Sequence, residues 1–119
     1  YRWRKMFGGG MRQAGILAAA GLFALDHNVE RLAEDHLRAK RLATAVNDMS
    51  GFSIDLDSVQ SNMVYISTAE GEAQAVVDRL VDQGVDTLTI DESTVRAVIH
   101  LHITDQDIER AITAFESVL

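Results

Sequence analysis

The sequence predicts an α+β fold, with N-terminal helices followed by a small ββαββα unit. Three observations lead there. Met11 to Leu25 is a run of Ala, Leu and Ile with helical composition. Val95, Ala97, Ile99 and Leu101 alternate with other residues, the two-residue period of a strand. Glu70 to Gln83 and the stretch after Thr104 carry apolar residues at three- and four-residue spacing. With 119 residues the chain has the size of one domain.

The elements follow in order. Residues 1–12 form a basic, glycine-containing segment, and residues 13–47 are read as connecting helices. The Met11–Leu25 helix is apolar nearly all round, with Ile16, Leu17, Leu22, Phe23 and Leu25 leaving no polar stripe. Such a helix is expected to be covered on most sides. Asp26-His27-Asn28 interrupts it. From Val29 to Asn47 a second helix has a seam of Val29, Leu32, His36, Ala39, Leu42 or Ala43, and Val46. Glu30, Arg31, Glu34, Asp35, Arg38 and Arg41 are expected to face water.

Residues 48–119 form the small α+β domain. Phe52–Leu56 and Asn62–Ser67 read as strands. Glu70–Gln83 reads as a helix with Ala73, Val76, Val77, Leu80 and Val81 on one face, stopped by Gly84. Val85–Ile90 and Val95–His102 read as strands. Thr104 opens the last helix, with Asp107 three residues on in a capping-box pattern. Its core face is Ile108, Ala111, Ile112, Phe115 and Leu119.

Composition narrows the function classes. Eleven cations against eighteen acids give a net charge of −7. Four of those cations (Arg2, Arg4, Lys5 and Arg12) fall in the first twelve residues, where there is no acid. The acidic remainder argues against nucleic acid as the main partner. The Ala14–Leu25 run is too short to span a bilayer. Cysteine is absent, so there is no disulfide, thiolate metal site or thiol nucleophile, and a cytoplasmic setting fits. The chain starts at Tyr1 rather than methionine, which fits a piece of a longer protein.

Two places hold candidate chemistry. In "RKMFGGGMRQAG", residues 4–15, glycines precede a helix whose first turn has unpaired N–H groups. Lys5 and Arg12 beside them suit a phosphate. The G-K-[ST] ending of a Walker loop is absent. A flexible glycine linker is the alternative. Arg96 sits mid-strand among apolar neighbours, where a cation is costly unless paired. Alternation places Arg96, Val98, His100 and His102 on one face. Arg96 there holds a carboxylate if the face lines a cleft; the alternatives are a plain exposed sheet face or a salt bridge to one of the chain's own acids. His100 and His102 are too few for a metal site. Of the two lysines, Lys5 and Lys40, the second lies on the polar side of a helix, a poor place for a Schiff base.

Together "RKMFGGGMRQAGILAAAGLFALDHNVERLAEDH", "SNMVYI" and "VRAVIHLHITDQDIERAI" resemble, in order, the C-terminal portion of low-specificity L-threonine aldolases. Those are fold-type I enzymes dependent on pyridoxal phosphate. The resemblance implies that residues 48–119 are the small C-terminal domain of such an enzyme. It implies that Lys5 and Arg12 lie at the cofactor phosphate or its surroundings, with help from a neighbouring subunit. It implies that Arg96 clamps the carboxylate of a small amino-acid substrate. The complete enzyme would cleave L-threonine or L-allo-threonine to glycine and acetaldehyde.

The family's Schiff-base lysine, its stacking histidine and the aspartate at the ring nitrogen lie upstream of this segment. No catalytic residue and no covalently bound cofactor are therefore expected in this chain. It is expected to be inactive alone, its partners being the missing large domain and a second copy in a homo-oligomer. Family members usually read H-L-D where this chain has His100-Leu101-His102. A self-standing module for small anions or for dimerisation is the competing reading.

Overall fold

The computed structural model describes residues 1–118, so the expected core position of Leu119 lies outside the described residues. The chain divides into two compact units, Tyr1–Leu32 and the residues from Ala33 onward.

The first unit holds two helices, α1 (Arg2–Met6) and α2 (Gly15–His27). The α2 helix starts four residues later than expected. Gln13 has a φ of +50°, a left-handed conformation that a continuing helix excludes. None of its residues is buried, and Ile16, Leu22, Phe23 and Leu25 are all exposed. Phe23 stacks on His27 one turn on, and the His27 ring bonds to the Phe23 carbonyl at 2.9 Å.

The second unit is an antiparallel three-stranded sheet with helices on one face. Its elements are α3 (Leu32–Asn47, entering from the first unit), β1 (Met63–Ser67), α4 (Ala73–Asp82), β2 (Leu88–Asp91), β3 (Thr94–Val98) and α5 (Asp105–Ser117). The sheet order is β1-β3-β2, which puts β3 in the centre. Val64 and Ile66 of β1 and Val95 and Ala97 of β3 point inward, as alternation requires. They meet Ala39, Leu42, Ala43 and Val46 of α3, Val76, Val77 and Leu80 of α4, and Ile108, Ala111 and Phe115 of α5 in one core. Phe52 packs its edge on Phe115, ring centres 5.4 Å apart.

Several expectations change. Phe52–Leu56 is not a strand: it makes one isolated bridge, Ser53 with Ser67, and then enters a 3-10 turn at Leu56–Ser58. The Asp55 side chain accepts from the Asp57 N–H, and this local bond displaces the ladder. The β3 strand ends at Val98, so His100 and His102 lie beyond the sheet. There the chain turns, with the Ile103 N–H donating to the His100 carbonyl, and Leu101 is half exposed instead of buried. Asp35, expected in water, is 2% exposed, one helical turn before buried Ala39 and 3.9 Å from Arg38. Val29 and Leu32 leave the expected seam and are exposed, while Val81 is half exposed. On α5, Ala114 joins the core and Ile112 only borders it.

The last helix begins as expected. Thr104 accepts from the Asp107 N–H, and the Asp107 carboxylate accepts from the Thr104 N–H at 2.9 Å, a complete capping box. Helices α3 and α5 are joined by Arg38, whose Nε donates to Asp105 at 2.7 Å, and by the ion pair of Arg41 with Glu109.

Candidate functional site

The face of the sheet opposite the helices is open. It carries Met63 and Tyr65 of β1, Leu88 and Ile90 of β2, and Val98 of β3, each between 39% and 59% exposed. Arg96 stands at its centre. Strand register sets it directly opposite Tyr65 on one side and Leu88 on the other. Hydrophobic neighbours on both flanks leave the guanidinium stem half-buried.

Among the described residues Arg96 has no ion pair, and its Nε is buried without a hydrogen-bond partner. That removes the salt bridge among the described residues and leaves the exposed sheet face and the carboxylate site as readings of Arg96. A buried guanidinium nitrogen without an acceptor costs free energy in the isolated unit. The arrangement suits a planar, anionic guest that a fork of N–H groups can hold.

Arg96, Asp86, Thr87, Leu88, Val98 and His100 line a recess of about 440 Å³ on this side. Thr87 Oγ1 is buried and also lacks a partner. Thr87 was not singled out in the sequence, because a threonine ahead of a strand carries no signal of its own. His100 bonds through its Nδ1 to the backbone N–H of His102 at 3.3 Å, and the two rings meet edge to face. Among the described residues no three His, Cys, Asp or Glu side chains gather where they could hold a metal ion.

The basic segment belongs to the first unit. Lys5 and Arg12 are both exposed. Lys5 lies in the last turn of α1, its Nζ 5.9 Å from the centre of the Tyr1 ring. Arg12 precedes α2, whose N-cap Ala14 offers no side-chain acceptor. The loop between is tightly built. Arg4 donates to the Met11 carbonyl, and the Gly9 N–H donates to the Arg4 carbonyl at 2.7 Å. A Cβ at Gly9 would sit 2.7 Å from that carbonyl oxygen, so only glycine fits there. Gly8 has a φ of +83°. The loop is thus folded on itself rather than a free linker, and it holds Lys5 and Arg12 on either side of three exposed or half-exposed glycines.

Residues 1–69 match the family model described as beta-eliminating lyase. The chain belongs to the beta-eliminating lyase family. Within that family it is 35% identical over 119 residues to low-specificity L-threonine aldolase 1 of Arabidopsis thaliana, covering 98% of this chain and 33% of the relative. It is 36% identical over 118 residues to the low specificity L-threonine aldolase of Escherichia coli K12, covering 99% of this chain and 34% of that one. This lyase-family chain therefore spans about a third of the length of the curated relatives it matches.

Its fold is that of solved structures too. A C-DES mutant with glycine covalently linked to its PLP cofactor matches with a TM-score of 0.67 at 23% identity, over 86% of this chain and 28% of that one. A NifS-like protein from Rickettsia africae matches with a TM-score of 0.57 at 18% identity, over 75% of this chain and 30% of that one. No helix among the described residues is long and apolar enough to cross a membrane.

Proposed function

We propose that this chain is the C-terminal portion of a threonine-aldolase-like lyase, which in complete form cleaves L-threonine or L-allo-threonine to glycine and acetaldehyde. The observation that carries the reading is Arg96: a half-buried guanidinium, central on an open sheet face, with a buried nitrogen that has no acceptor. The relatives' names supply the substrate, and Arg96 supplies the group that would hold its carboxylate.

Pyridoxal phosphate fits the residues present in one respect. Lys5, Arg12 and a folded glycine loop without carboxylates form a donor set matched to a phosphate dianion. They would hold the phosphate by charge, since the Gly8 and Gly9 N–H groups already donate to the Lys5 and Arg4 carbonyls. When bound, the cofactor supplies the electron sink for breaking the Cα–Cβ bond. A lysine for its covalent attachment does not fit here: Lys40 is exposed on α3, and Lys5 is assigned to the phosphate. That lysine belongs to the two-thirds of the relatives outside this chain.

This chain's own residues bind and orient. Arg96 fixes the substrate carboxylate, which sets the bond to be broken in its productive direction. The open sheet face and the exposed, largely apolar α2 fit surfaces covered by the remaining part of the enzyme and by a second copy. On this reading the complete enzyme works in the cytoplasm, and the chain by itself is expected to be inactive.

The test joins this chain to the upstream two-thirds of the Arabidopsis relative and measures acetaldehyde release from L-threonine with pyridoxal phosphate. Turnover by the joined protein and none by the chain alone supports the reading. Turnover by the chain alone would overturn it.

A further inference from the structure

We infer that His100 is a second donor to the carboxylate held by Arg96, an inference that rests on the reading above. Both residues line the recess of about 440 Å³ on the open side of the sheet. At ~3.3 Å per residue their Cα atoms are at most about 13 Å apart. A guanidinium and an imidazole lining one recess across that span are both long enough to reach a shared guest between them. Val98 and Leu88 line the same recess.

The ring has one nitrogen already engaged. His100 Nδ1 accepts from the His102 backbone N–H at 3.3 Å. In the neutral imidazole the proton is then on Nε2, the other nitrogen. The edge-to-face contact with the His102 ring, centres 5.9 Å apart, limits rotation. Nε2–H is left as a donor, and Arg96 supplies the countercharge. Asp86 is the one carboxylate lining the recess. It weakens the attraction for an anion and gives the site an acceptor for a hydroxyl or ammonium group. A guest carrying both a carboxylate and a hydroxyl matches this donor and acceptor set.

The test is a nuclear magnetic resonance titration of the chain itself, following the Arg96 Nε–H and His100 ring signals as sodium acetate or L-threonine is added. The inference requires both signals to move saturably with one midpoint. It further requires His100→Leu to raise the midpoint for Arg96 about tenfold, the size of a lost hydrogen bond to a charged group. His100→Gln, which keeps an N–H donor, should restore most of the affinity, and Asp86→Asn should tighten acetate. If Arg96 moves and His100 does not, the inference falls while the role of Arg96 stands. If neither moves, the inference falls, and the role of Arg96 is judged by the joined protein.

Discussion

Tyr65 and Arg96 face each other across the β1–β3 ladder, with Leu88 completing the row on β2. A cation between an aromatic and an aliphatic residue, with Nε unpaired, is placed against the stability of its own unit. Replacing it with a residue of similar length should separate stability from function. Arg96→Met is expected to leave the melting temperature of the chain unchanged or raise it by a few degrees, about 1 kcal/mol or less. In the joined protein the same change should abolish most threonine cleavage. A large fall in melting temperature would mean that Arg96 is structural.

The capping box at the start of α5 gives a second expectation. Thr104 and Asp107 satisfy each other's backbone N–H groups. Thr104→Ala removes the acceptor for Asp107 and should cost about 1 kcal/mol. Urea denaturation should show a lower midpoint with an unchanged slope. Thr104→Ser should retain most of the stability.

Acid should weaken the second unit through three carboxylates. The Thr104 hydroxyl and N–H hold Asp107 below the usual carboxylate range. Arg38 does the same for Asp105 by a direct hydrogen bond and its charge. The Ser93 N–H, with Thr94, does so for Asp91 in the β2–β3 turn. Each folded-state value lies below the unfolded one. The stabilisation is therefore fully present above the unfolded values and is lost as pH falls through the folded ones. Denaturation midpoints should be flat near neutrality and fall below about pH 4. Asp105→Asn should make that fall shallower, and an unchanged curve would remove Asp105 from the account.

Gly9→Ala tests the loop of the first unit. The added Cβ would meet the Arg4 carbonyl oxygen at 2.7 Å, and a backbone atom cannot yield as a side chain does. Displacing the loop should weaken pyridoxal phosphate binding by the joined protein about tenfold or more, since tenfold corresponds to about 1.4 kcal/mol and overpacking strain is of that order. The denaturation midpoint of the second unit should not change. Equilibrium dialysis of the cofactor reads the first effect, and urea denaturation the second.

Much of this was legible in the sequence where local rules and tertiary packing agree. Thr104 and Asp107 mark the start of α5 by spacing alone, and Val95, Ala97 and Ile99 mark the buried face of β3. Gly84 stops α4 with a φ of +79°. What failed were competitions. Asp55 bonds to its own neighbour's backbone and ends a strand that composition favoured. Alternation runs through Leu101 in the sequence, but the turn at His100 ends β3 three residues earlier. Asp35 reads as a solvent-facing acid, and only the packing of α3 buries it.

The candidate site divides the same way. Arg96 was visible as a cation where apolar residues were expected. Thr87 was not, since its buried hydroxyl becomes notable only when the recess around Arg96 is formed.

The most direct test of the central claim compares L-threonine with its carboxamide as substrates of the joined protein, with and without Arg96→Ala. If Arg96 holds the substrate carboxylate, the unaltered protein should cleave L-threonine at least about a hundredfold more efficiently in kcat/KM, and the variant should lose most of that preference. A variant that discriminates as well as the parent would contradict the account.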